Sequence, residues 1–73
     1  MSDLARMLYQ SIKTEYQNRL DEGKSKQCIA FSKSIFITKY NYPELLLRDL
    51  LNELNDYGYI KKWITGDFEL IID

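Results

Sequence analysis

The sequence predicts one α+β domain, in the order helix, short strand, unsettled segment, helix, β-hairpin. Three observations predict it. Apolar residues recur at helical spacing over residues 4–20, and a leucine-rich face follows Pro43 and ends at Gly58. Two β-rich runs then flank Thr65-Gly66-Asp67. At 73 residues the chain has room for a single core and no second domain.

The first helix is expected over 3–22. Ser2 caps it and Asp3 sits in the first turn, where the helix dipole favours an acid. Leu4, Leu8, Ile12, Tyr16 and Leu20, with Ala5 and Tyr9 beside them, form its apolar stripe. Glu15 and Arg19 stand four residues apart with the acid first, and Gly23 ends the helix. Residues 26–31, KQCIAF, read as a short strand in which Cys28 is a small buried hydrophobe.

Residues 33–40 admit two readings. Ile35, Phe36, Ile37 and Thr38 favour a strand by propensity. Ser32 or Ser34 can instead cap a short helix that buries Ile35, Phe36 and Tyr40. Asn41-Tyr42-Pro43 then breaks the chain: Asn tolerates left-handed backbone, and Pro43 suits the first position of a new helix. That helix is expected over 43–57. Advancing about 100° per residue from Leu45 places Leu46, Leu47, Leu50, Leu51, Leu54 and Tyr57 on one face. Leu45 points away from it.

The hairpin is expected over 59–72. A three-residue loop, Thr65-Gly66-Asp67, puts Ile60, Ile64, Phe68, Leu70 and Ile72 on one face, with Trp63, Lys61, Glu69 and Ile71 on the other.

Composition excludes several functions. Histidine is absent and Cys28 is the single cysteine, so an intramolecular disulfide and a Cys/His zinc site are ruled out, and most nucleophile–base pairs lose their usual base. The glycines at 23, 58 and 66 make no phosphate-cradling loop. Asp67, Glu69 and Asp73 are too few and too exposed for a calcium loop. We therefore expect no enzyme, no cofactor, no metal and no small-molecule substrate. No signal peptide or membrane span is visible, and a lone thiol suits a reducing cytoplasm. Frequent Ile, Lys, Tyr and Asn suggest an AT-rich genome, such as a low-GC bacterium or its phage. Net charge is −1, but residues 24–42 hold four lysines and no acid, between two acidic blocks.

The stretch IFITKYNYPELLLRDLLNELNDYGYI resembles a helix-turn-helix followed by the start of a wing. Asn41 matches the turn glycine, Leu47 and Leu50 the inward residues of the second helix, and Gly58-Tyr59-Ile60 the step into the wing. The local likeness covers 35–60, and in topology the chain is similar to the winged helix-turn-helix superfamily over about 4–72. Ile37 departs from it, standing where the family usually has a small residue. The resemblance implies a small winged helix-like domain in which 33–40 is a short helix. The alternative is an α-β-β-α-β-β order with a four-stranded sheet.

The resemblance further implies a DNA-binding regulatory protein, phage- or mobile-element-encoded, whose recognition helix is 43–57. Its outward residues are Glu44, Leu45, Arg48, Asp49 and Asn52. Arg48 would read guanine, Asn52 adenine, and Leu45 a thymine methyl. Lys33, Lys39, Lys61 and Lys62 would meet phosphates. Glu44 and Arg48 can instead serve only each other as an i,i+4 pair, and the acids on this helix disfavour phosphates. The alternative function is a protein-interaction module or homodimer without DNA, using Leu45, Trp63 and Ile71 as an exposed apolar patch.

Overall fold

A computed structural model describes residues 1–72. It is an α+β domain of three helices and a three-stranded antiparallel sheet: α1 (Asp3–Asp21), β1 (Ala30–Phe31), α2 (Lys33–Thr38), α3 (Glu44–Asp56), β2 (Ile60–Lys62) and β3 (Phe68–Leu70). The sheet order is β1-β3-β2. No helix among the described residues is long and apolar enough to cross a membrane.

α1 begins as its sequence requires. The Ser2 hydroxyl accepts from the Ala5 N–H at 3.1 Å. That hydroxyl also donates to Glu53 of α3 at 3.0 Å, so the cap ties the two helices together. Ala5, Leu8 and Ile12 are buried, while Leu4, expected inside, is 46% exposed. Glu15 and Arg19 share no salt bridge, though the Arg19 charge still acts on the Glu15 carboxyl. Glu15 turns to α2, and Arg19 turns to the strand side.

Residues 33–38 are helical, which removes the four-stranded alternative. The Ser32 hydroxyl accepts from the Ser34 N–H, and Phe36 is fully buried. Tertiary packing overrides the β propensity of Ile35, Ile37 and Thr38, and both isoleucines pack half-buried against the core. Asn41 has φ 60°, the left-handed conformation its short polar side chain tolerates. Pro43 is the residue before the first helical turn of α3 rather than within it, with extended backbone at φ −59° and ψ 139°. Leu47, Leu50, Leu51 and Leu54 are buried, but Tyr57 is 57% exposed and its hydroxyl accepts from the N-terminal amine of Met1.

The first strand is shorter than 26–31. Tight turns occupy the residues before it, where the Cys28 N–H donates to the Ser25 carbonyl and the Ile29 N–H to that of Gln27. Cys28 is half-buried rather than buried. The hairpin also differs. Ile60 pairs with Leu70 and Lys62 with Phe68, and the Trp63 N–H donates to the Asp67 carbonyl at 2.8 Å. The three-residue loop is therefore Ile64-Thr65-Gly66, one residue earlier than expected. Ile64 is fully exposed at its tip, and Ile72 is 43% exposed. Gly66 has φ 92°, the left-handed third position such a loop demands.

The core joins the three helices to the sheet. Phe31, Phe36 and Phe68 cluster with ring centroids 5.6 to 6.4 Å apart, and Tyr40 stacks on Phe36 at 5.4 Å. At these distances the rings add offset and tilted contacts to the area they bury.

Candidate functional site

The N-terminal half of α3, the start of α2 and the hairpin loop enclose an open cleft of about 290 Å³. Lys33, Glu44, Leu45, Arg48, Lys62 and Ile64 line it, with the backs of Leu47 and Leu51 as its floor. Residues as far apart in sequence as Lys33 and Gly66 meet here because α3 packs on β2 and α2 packs on α3.

Each cation in the cleft is oriented. The Lys62 ammonium donates to the Asn52 side-chain oxygen at 2.6 Å. The backbone N–H of Lys62 donates to the Asn55 side-chain oxygen at 2.9 Å. Lys33 lies 3.6 Å from Glu44, and its backbone N–H donates to Asp67 at 3.1 Å. A methyl at Gly66 would stand 3.3 Å from the Lys33 nitrogen, so the loop passes directly beside this lysine. Arg48 lies 3.6 Å from Asp49, so the expected Glu44–Arg48 pair gives way to two different ones. All four of these side chains are well exposed, and such pairs are worth about 0–1 kcal/mol. They leave Lys33 and Arg48 free to exchange partners for an anion.

The structure thus brings Lys33, Glu44, Leu45, Arg48 and Lys62 together, with Asn52 joined through Lys62. It does not bring Lys39 there. The Lys39 ammonium donates to Glu15 of α1 at 2.6 Å, and the Tyr40 hydroxyl donates to the same carboxylate oxygen at 2.8 Å. Lys39 and Tyr40 hold the Glu15 carboxyl below its ordinary value, against burial, which pushes the other way. The carboxylate in turn raises Lys39, and burial together with the carboxylate raises Tyr40. This cluster fastens α2 to α1.

Lys61 also lies outside the cleft. Lys61 is paired with Glu69 and faces the opposite side of the sheet from buried Ile60. Trp63 and Ile71 continue that outer side, 39% and 45% exposed. Leu45, 67% exposed, lies in the cleft instead. The three apolar residues do not form one patch, and α1 does not bury Trp63.

Ile64 is the cleft residue that the alternation of the hairpin concealed. Its signal was Gly66, whose left-handed position had to close the loop. Near the C-terminus, Asp67 is occupied by the Lys33 N–H, and Asp73 lies outside the described residues. Among the described residues no cluster of His, Cys, Asp and Glu could hold a metal ion. Compared with known proteins, the chain matches no family model, no curated protein and no solved structure.

Proposed function

We propose that the protein is a small DNA-binding regulator of winged-helix type, with α3 entering the major groove and the hairpin flanking it as a wing. One observation carries the reading. Lys33, Leu45, Arg48 and Lys62, drawn from three elements, line one open cleft on the exposed side of α3. Arg48 stands where it can offer two donors to guanine, with Asn52 one turn further along the same helix. Lys33 and Lys62 flank them and supply charge for phosphates. The order of elements and the left-handed Asn41 between α2 and α3 support the same assignment.

The test is an amide chemical-shift titration with mixed-sequence duplex DNA at low salt. Shifts are expected at Lys33, Leu45, Arg48, Asn52 and Lys62, and not at Lys39. Unchanged spectra at a large DNA excess would overturn the proposal.

A second reading is a protein-interaction module. It is favoured by Leu45 and fully exposed Ile64 on the two walls of the cleft, beside the acids Glu44 and Asp49. Phosphates are repelled by those acids and make no use of the apolar pair. A contact of this kind would persist at high salt.

A further inference from the structure

The outer face of the sheet carries a line of side chains that the cleft does not use. Tyr59, Lys61 and Trp63 alternate along β2 and its flanks, opposite buried Ile60. Tyr59 and Trp63 are 37% and 39% exposed, and Lys61 lies between them. The Tyr59 ring meets the Tyr9 ring of α1 at 4.7 Å, tilted by 43°. The Lys13 ammonium stands over Tyr9, 5.0 Å from its centroid. Across the strand, the Ile71 N–H donates to the Tyr59 carbonyl, and Ile71 widens the apolar surface. The line therefore runs Trp63, Lys61, Tyr59, Tyr9, Lys13: Lys61 separates Trp63 from the Tyr59–Tyr9 pair, and Lys13 stands at the far end. Glu69, half-buried beside Lys61 on the central strand, offsets part of that charge.

We propose that this face is a stacking platform for single-stranded DNA, separate from the cleft of α3. Every base presents a π-face, so aromatic side chains bind single strands with little regard to sequence, and interleaved cations track the backbone. A purely apolar partner would leave Lys61 in the middle of its contact. A duplex hides its bases from such rings. Side chains two residues apart on a strand stand about 7 Å from one another, which places Lys61 about that far from each of the rings flanking β2, Tyr59 and Trp63. The choice of DNA over RNA rests on the reading of the cleft on the other side of the same hairpin.

Trp63 is the single tryptophan, so its fluorescence reports directly on the platform. Adding oligo(dT) of about ten nucleotides to the whole protein is expected to quench it to saturation, and less strongly as salt rises. With a dye-labelled oligo(dT), Trp63→Ala and Lys61→Glu should each weaken binding about tenfold or more, while Trp63→Phe keeps it. Trp63→Phe also controls for folding. Absence of quenching, or Trp63→Ala binding as wild type, would overturn the platform. Loss of oligo(dT) binding in Arg48→Ala would overturn its separation from the cleft. Equal binding of oligo(U) would overturn the choice of DNA. Duplex binding by Trp63→Ala should be unchanged, so the two surfaces stand or fall apart from each other.

Discussion

The salt dependence of duplex binding follows from which cations the structure leaves at the cleft. Five cations were candidates from sequence: Lys33, Lys39, Arg48, Lys61 and Lys62. Lys39 is committed to Glu15 at 2.6 Å, and Lys61 faces the other side of the sheet. Lys33, Arg48 and Lys62 remain. Lys33 and Lys62 on phosphates, with Arg48 adding its charge in the groove, count as about three ionic contacts and give a slope of about −2.7 for log affinity against log salt. Raising salt from about 50 to about 200 mM should therefore weaken binding about 40-fold. Lys62→Gln removes one contact, which flattens the slope to about −1.8 and the loss to about 12-fold. Lys39→Gln should leave the slope as it is. Anisotropy of a labelled duplex across four or five salt concentrations measures all three proteins. A wild-type slope shallower than about −1, or Lys39→Gln flattening it as much as Lys62→Gln, would refute the reasoning.

Two further predictions concern the fold. Phe68 is fully buried between Phe31 and Phe36 on the central strand, so Phe68→Ala should cost about 3–5 kcal/mol, most of what a domain of this size holds. Urea denaturation reads it, and a loss below about 1 kcal/mol would contradict the packing described. Glu15 is held below its ordinary 4.5, so its ionised form stabilises the fold fully above that value and progressively less as pH falls through the lower folded one. Wild-type denaturation midpoints should drop on acidification between about pH 5 and 3, and Glu15→Gln should show a flatter profile over the same range.

How much of this was legible depends on how local the deciding physics is. α1 and α3 declared themselves through period and punctuation, because Ser2, Gly23, Pro43 and Gly58 act on their own neighbours. α2 did not. Four of its six residues are β-prone, and only the burial of Phe36 against Phe31 and Phe68, distant in sequence, decides for helix. The hairpin was visible, but its register rested on treating Ile64 as a core residue. Apolar character argued for that, while the left-handed requirement at Gly66 argued for the loop, and geometry prevailed. At the cleft, Leu45, Arg48 and Asn52 could be placed outward from helical angles alone. No sequence rule distinguishes Lys39 from Lys33, because the difference is Glu15 on another helix.

Arg19 and Asn55 have a consequence beyond their own contacts. Arg19 donates to the outward carbonyls of Cys28 and Ala30, at 2.9 and 2.6 Å, with its guanidinium 4.0 Å above the Phe31 ring. Asn55 accepts from the outward N–H of Lys62 on the far strand. Each border of the sheet is thus occupied by a side chain where another chain's backbone would otherwise pair. A sheet of three very short strands thus meets a side chain at each margin, and that disfavours its extension by the edge of another copy when the protein is concentrated.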